Sequence, residues 1–584
     1  MNDDSLFPDE ALSRIDVLVA AVDRAESADI EYDGSIRIHF LRNFTVEPIE
    51  PYLKFHLMRE AIEPVISYGG YDTVLQEVLD PQSRLRVDSP DIVVLSLELT
   101  MLDQQHARQD WSADQAIDRL QEMFEGLREN TTALLVANTM TSSLSSLKGV
   151  AQVDRINQWI SQYAESNKDR FVVADWDRFL RRIGRDDAID DRYWRLSMAP
   201  FRAPFLNLYA REIVKVARAL KGKAKKCLVL DCDNMLWGGV IGEDGPQGIR
   251  LDKAYREFQR SILQLHERGV IVALCSKNNE DDVWEVLDSH PDCLLKKSHL
   301  SAWRINWENK ASNINALSSE LNLVLDSFVY VDDSPRECQL IREALPQVTV
   351  LQVPESLHEY ATLLLDDGLF DTLSASVEDK NRTSFYRTEA ERSQDRQLHV
   401  DLDAYLTSLD QTLTVWEATE KDRPRIAQLT QKTNQFNLTT QRYSEGQIAE
   451  FMSDESTAVL AMSVSDKYGD LGTTGVLIAR HFNDITNIDS LLLSCRVLGR
   501  KLEYAFVDTC LNLLASRWAL SSWKAEYRPT KKNAQAVDFW DRVGFSLQAD
   551  SSSMKSYSLA AGRRDNDYSH IISIVEARID AGTN

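Results

Sequence analysis

The chain has 584 residues, 66 of them basic and 91 acidic, for a net charge of −25 at pH 7. Nucleic-acid phosphate and anionic membrane repel such a chain, so neither is expected as a partner. The length predicts roughly three to five domains, and 43% hydrophobic with 27% charged residues is an ordinary globule composition.

The acidic N-terminus has no basic segment followed by an apolar run, which argues against a secretory signal. No stretch approaches eighteen uninterrupted apolar residues, so no membrane span is expected. Seven cysteines, with no CxxC pair, fit a reducing cytoplasm better than a disulfide framework or structural zinc.

Residues 36–44, 91–98, 132–138 and 170–176 read as strands, with helical patterns such as 153–167 between them. Strand alternating with helix implies a parallel sheet covered on both faces. The run KGKAKK at 221–226 reads as an exposed connection. A buried strand is then expected to end at Asp233, followed by a helix closed at Gly269 with Arg268 beside its C-terminal dipole. A second strand ends at Ser276, a helix follows Lys310, a third strand ends at Asp333, and Pro335 opens another helix. The charge-dense stretch 371–410 reads as a connecting helix. Residues 412–560 turn to an α+β pattern, with helices at 500–517 and 533–543 and a short strand at 520–526.

The chemistry gathers at the carboxyl ends of the middle strands, the edge where open α/β sheets bind ligands. Asp231 and Asp233 come first, then Ser276, then Lys310 at a helix start, then Asp332 and Asp333. Carboxylates converging there need a hard cation such as Mg²⁺ to hold them together. An aspartate can act as nucleophile and form an aspartyl-phosphate. A second carboxylate two residues on can protonate the leaving group and then activate water. Ser276 can hydrogen-bond a phosphate oxygen, and Lys310 supplies charge to the nucleophile and the transferring group. Each member alone is most often a solvated turn or a helix start. The ordered set carries the reading.

This set resembles the four motifs of the haloacid dehalogenase (HAD) superfamily. The stretches DCDNMLWGGVIGEDG at 231–245, SKNNEDD at 276–282, INWENK at 305–310 and FVYVDDSPREC at 328–338 are similar to its FkbH-like branch. Met235 stands where that branch usually has Thr. KTNQFNLTTQRYS at 432–444, LLLSCRVLGRKLE at 491–503 and YRPTKKNAQAVDFWDRVGF at 527–545 resemble the branch's C-terminal domain, itself similar to GNAT acyltransferases. Residues 36–220 resemble, more weakly, an SGNH-hydrolase-like domain, without its Gly-Asp-Ser or its Asp-x-x-His. Asn43, Thr45 and Asn138 are left as pocket candidates, with a scaffold or docking surface the favoured role.

The resemblance implies an α/β multidomain chain. It comprises a degenerate flavodoxin/SGNH-like parallel sheet over 1–220, a HAD-like Rossmannoid parallel sheet over 221–370, a helical linker over 371–411 and an α+β GNAT-like domain over 412–584. It implies a glyceryl transferase and phosphatase. Such an enzyme takes the phosphoglyceryl unit of 1,3-bisphosphoglycerate, removes the phosphate and loads glyceryl onto the phosphopantetheine thiol of an acyl carrier protein for polyketide-type synthesis. The implied roles are Asp231 as nucleophile and Asp233 as acid/base, with Ser276, Lys277, Asn278 and Lys310 at the phosphate. Mg²⁺ would lie on Asp231, Asp233 and Asp333, with Asp332 as support or alternate ligand. Arg496, Gly499 and Lys501 echo a pyrophosphate loop at a helix N-terminus.

Strand alternation turns Cys232 and Cys275 away from the site and leaves Cys495, before Arg496, as the candidate thioester cysteine. Asp489-Ser490, which mimics a carrier attachment site, reads as ordinary strand. Net acidity demands a local basic patch for docking an acidic carrier, and KGKAKK and 496–501 are the candidates. Two other readings stay open: a plain Mg²⁺-dependent phosphatase of a small metabolite, and a non-catalytic carrier-binding scaffold.

Overall fold

The computed structural model describes residues 6–8, 11–12, 14–28, 30–103, 111–141, 147–366, 368–372, 392, 401–530, 532–564 and 568–576. The chain divides into two units, 1–220 with 444–447, and 221–443 with 448–584.

The first unit is built on a five-stranded parallel sheet. Its strands are β1 (Ser35–Arg42), β2 (Glu63–Tyr71), β3 (Ile92–Ser96), β4 (Leu134–Asn138) and β5 (Phe171–Ala174), in the order β2-β1-β3-β4-β5. β3 and β4 are buried throughout, which is why both read as unbroken apolar runs. The edge strand β2, EPVISYGGY, escapes the sequence reading. Its Pro and paired glycines look like a turn, and its outer face is largely exposed.

The second unit contains two sheets. β6 (Cys227–Leu230), β7 (Ile271–Ser276), β8 (Ala302–Ile305), β9 (Phe328–Asp332) and β10 (Thr349–Gln352) form a parallel sheet in the order β10-β9-β6-β7-β8. β8 and β10 have four residues each, too short to show a period, and were not expected. Alternation along the central strands sorts two cores onto opposite faces. Leu228, Leu230, Val272 and Leu274 lie in one, and Cys227, Val229, Ile271 and Ala273 in the other.

The remaining strands are β11 (Gln411–Glu417), β12 (Thr457–Asp466), β13 (Gly469–Phe482), β14 (Ile485–Leu493), β15 (Ser522–Tyr527), β16 (Ser546–Asp550), β17 (Lys555–Ala560) and β18 (Ile572–Glu576). They make a mixed sheet, in the order β16-β17-β15-β14-β13-β12-β11-β18. β14 and β15 run parallel and pair only over Ile485–Ile488 against Ser522–Ala525, then diverge.

Three expectations are corrected. The first middle strand stops at Leu230, before either aspartate. KGKAKK is not an exposed connection. Lys225 and Lys226 donate their backbone N–H groups to Leu369 O and Ser327 O, and their ammonium groups to Asp326 O and Lys432 O, both at 2.7 Å. Its last two lysines are therefore spent on the fold rather than presented to a partner. The helix expected over 533–543 is a single turn at Ala534–Ala536 followed by Phe539–Val543. Of the connecting helix expected at 371–410, most lies outside the described residues, and Leu402–Ser408 is helical. No helix among the described residues is long and apolar enough to cross a membrane.

Candidate active site

The parallel order β9-β6-β7 brings three loops to one sheet edge. Asp231 follows β6, Ser276 ends β7 and Asp332 ends β9. Lys310 enters from the first turn of helix Lys310–Glu320, which Asn309 caps by accepting from Ala311 N at 2.7 Å.

Lys310 is the hub. It is 3% exposed, and its Nζ lies 3.1 Å from Asp231 Oδ1 and 2.6 Å from Asp332 Oδ2. Burial disfavours its charge, but Asp231 and Asp332 override that and push its pKa above the ordinary lysine value. Both oxygens of Asp332 are engaged. Its Oδ1 accepts from Ser334 N at 2.8 Å, and its Oδ2 accepts from Lys310 and from the Tyr330 hydroxyl.

Asp231, Asp332 and Asp333 each place a carboxylate oxygen within 4.8 Å of the other two. One lysine does not neutralise three acids. Burial raises the Asp231 pKa, countered by Lys310 and reinforced by Asp332. Burial, then Asp332 and Asp231, push Asp333 up to about 6. A concentrated set of hard oxygen donors carrying excess negative charge fits a hard divalent cation.

The Asp233 carboxylate is not part of that cluster. Its Oδ1 accepts from Trp237 Nε1 at 2.9 Å and Ile241 N at 3.1 Å, and its Oδ2 from Asn278 Nδ2 at 3.1 Å. Asn278 also donates to Ser276 Oγ at 3.0 Å, and the nearby Ser276 hydroxyl works against the burial that raises the Asp231 pKa. Asp233, Asn278 and Ser276 are thus one connected network. Lys277 points elsewhere, to Glu337 Oε1 at 2.9 Å.

Two members of the site were missed. Tyr330 lies two residues before Asp332 on β9 and shares its face, a spacing of two that could have revealed it. Trp237 closes the loop that begins at Asp233.

Cys232 and Cys275 are buried in the two opposite cores, where burial pushes Cys275 up to about 12 and Cys232 well above the ordinary thiol value. Met235 is fully buried in the same core as Cys232.

In the mixed sheet, β14 leads through Cys495–Val497 and Gly499 (φ +74°) into helix Leu502–Arg517. Lys501 Nζ is held by Asp403 at 2.7 Å, and Arg500 by Asp466 at 3.0 Å. Half-buried Cys495 lines a cavity with Lys226, Asn322, Arg425, Lys432 and Arg496, and Asn322 Nδ2 donates to its carbonyl at 3.2 Å. Where β14 and β15 part, the chain fills the gap itself. Leu438 N donates to Leu491 O, Leu493 N to Phe436 O, and Arg528 N to Leu438 O. Ser490 is buried within β14.

In the first unit the pocket candidates serve the backbone. Asn43 bridges both polar groups of Glu98, Asn138 does the same for Leu97, and Thr45 Oγ1 donates to Ser197 O.

A family model described as NLI interacting factor-like phosphatase matches residues 226–352, from the start of β6 to the end of β10. A solved structure of the N-terminal part of the protein BF1531 from Bacteroides fragilis, containing a phosphatase domain complexed with Mg, is 26% identical. It covers 60% of this chain and 98% of its own, with a TM-score of 0.56. The ribosomal-protein-S18-alanine N-acetyltransferase of Escherichia coli is 14% identical over 27% of this chain and 98% of its own, with a TM-score of 0.21. That likeness is too low to assign a fold or activity to the mixed sheet. No curated protein matches the chain. Residues 226–352 are therefore a HAD-like phosphatase domain within a longer α/β chain.

Proposed function

We propose that the chain is an Mg²⁺-dependent FkbH-like enzyme that removes a phosphate from a phosphoglyceryl unit of 1,3-bisphosphoglycerate and loads the glyceryl group onto an acyl carrier protein. The observation that carries the phosphatase half is the buried Lys310 joining Asp231 to Asp332 beside Asp333 at a parallel sheet edge.

The Asp231 carboxylate attacks phosphorus, and the bond from phosphorus to the substrate oxygen breaks. Asp233 delivers a proton to that oxygen, then takes one from the water that cleaves the aspartyl-phosphate. Trp237, Ile241 and Asn278 hold the Asp233 carboxylate in place for both steps. Ser276, accepting from Asn278, keeps its own proton for a phosphate oxygen. Lys310 stabilises the charge that builds on the transferring group. Asp231 and Asp333 would hold the cation, while Asp332, with both oxygens already bonded, positions Lys310. Bound there, Mg²⁺ would add positive charge at the phosphoryl oxygens.

The acyl half rests on Cys495 and Arg496 at the edge of a cavity with cationic residues in its wall. Because residues 436–438 fill the divergence of β14 and β15, that cavity is the better place for a carrier's arm, with Gly499 shaping the adjoining loop. The GNAT-like and SGNH-like domains, the linker, the carrier and a cytoplasmic setting belong to the same proposal.

The test is incubation with holo carrier protein, 1,3-bisphosphoglycerate and Mg²⁺, read by intact-protein mass. A glyceryl increment on the carrier, absent with Asp231→Asn, is expected. No increment would falsify the transferase half. Phosphate release without a carrier, undiminished in Cys495→Ala, would leave the plain phosphatase standing. An Asp231→Asn protein with full activity would leave only a scaffold.

A further inference from the structure

A second group of reactive side chains lies in the first unit, mid-strand and apart from the carboxyl ends of its strands. His39 on β1 and Ser67 on β2 are direct partners in the parallel register, so their side chains share one face. His39 Nδ1 and Ser67 Oγ are 2.8 Å apart. Glu77, from helix Val74–Leu79, brings its Oε2 to 3.9 Å from His39 Nε2.

His39 is 1% exposed, yet its Nε2 has no hydrogen-bond partner, and neither has Glu77 Oε2. Orphaned polar atoms this deep in a fold are rare and destabilising, and call for a reason. Their arrangement also selects the tautomer. If Nδ1 carried the proton, the bare lone pair of Nε2 would face a carboxylate. Protonation at Nε2 removes that repulsion and leaves Nδ1 to accept the Ser67 hydroxyl proton. Burial, opposed by Glu77, holds the His39 pKa below the ordinary histidine value, so the ring is a neutral base at pH 7.

Ser67 remains reachable. It is half-buried on the outermost strand, and Val65, two residues earlier on the same face, is 45% exposed. Glu77 is fixed through its other oxygen, which accepts from Gly70 N at 3.2 Å. A serine, a neutral imidazole that accepts its proton and a carboxylate facing the far ring nitrogen are the parts of a nucleophilic acyl-transfer centre, recognised by geometry rather than chain order. None of the three lies in a motif with that role in the sequence.

We propose that Ser67, His39 and Glu77 form a second catalytic centre that hydrolyses a carboxylic ester or thioester. Ser67 Oγ bonds to the acyl carbon and its proton passes to His39 Nδ1. The bond from carbon to the leaving oxygen or sulfur breaks, and His39 returns the proton to that atom. Glu77 stabilises the transient imidazolium. Water, deprotonated by His39, then frees the acid and regenerates Ser67. This activity is independent of the Asp231 site.

The full-length protein is treated with an alkyl fluorophosphonate and with p-nitrophenyl acetate. One adduct is expected, mapping to Ser67. It disappears in Ser67→Ala, a mild change at a half-buried position that keeps the parent melting midpoint. Labelling slows about 100-fold or more in His39→Gln, and ester hydrolysis falls in parallel. Glu77→Gln slows labelling as well, and keeps the test open if His39→Gln does not fold. No adduct, an adduct on another residue, or undiminished labelling in Ser67→Ala or Glu77→Gln overturns the proposal.

Discussion

Replacing Lys310 by Met tests the electrostatic account of the phosphatase site most directly. The ammonium is 3% exposed and lies 2.6 Å and 3.1 Å from two acids that are themselves buried. Met fills a similar volume, so the loss is chiefly of charge. Removing one partner of a buried ion pair costs about 3–5 kcal/mol, because the other charge is stranded. Here two carboxylates are stranded, with Asp333 beside them. For a domain of this size that corresponds to a drop of roughly 6–20 °C in melting midpoint. The assay is calorimetry of the full chain in chelator, following the transition that Mg²⁺ shifts upward in the parent. Asp332→Asn keeps shape and removes one stranded charge. The double variant should therefore recover about 1–3 kcal/mol of the single-variant loss. A Lys310→Met midpoint equal to the parent's, or a double variant as unstable as the sum of the singles, refutes the reasoning.

Further outcomes follow from single positions. His56 is half-buried against Asn207, and burial lowers its pKa to about 4. The unfolded chain takes up that proton near the ordinary value of about 6.5. This contribution is therefore complete above about pH 6.5 and lost as pH falls towards 4. It amounts to up to about 3 kcal/mol, and the dependence of urea midpoint on pH should flatten in His56→Gln. Gly222→Ala should destabilise the second unit by at least about 2 kcal/mol in denaturant melts. The residue has φ +66°, and a Cβ would lie 1.6 Å from Gln431 O. Met235→Thr, which restores the residue usual in the resembled branch, should lower stability here by about 1–3 kcal/mol while sparing metal binding. It removes volume and places a hydroxyl in a fully buried core position. Tyr330→Phe strips one donor from Asp332, and should cost about 1–2 kcal/mol and lower phosphatase turnover.

Fully buried strands such as IVVLS and LLVAN announce themselves in the sequence because both faces must be apolar. The candidate-site residues do so because each follows or ends a strand or opens a helix at a characteristic spacing. Local chemistry thus pointed to the parallel sheets and singled out Asp231, Asp233, Ser276, Lys310, Asp332 and Asp333 as candidates at one sheet edge. It could not say which carboxylates meet. Only the order β10-β9-β6-β7-β8 brings Asp333 to Asp231 and leaves the Asp233 carboxylate with Trp237 and Asn278. The short strands β8 and β10 and the glycine-bearing edge β2 exist because a neighbour supplies their hydrogen bonds, and that neighbour is distant in the chain. The same holds for KGKAKK, whose last two lysines look solvated until the carbonyls of Asp326 and Lys432 arrive. It holds most strongly for Ser67, His39 and Glu77. Nothing in their spacing marks them, and they meet because β2 pairs with β1 in a register that places a serine opposite a histidine.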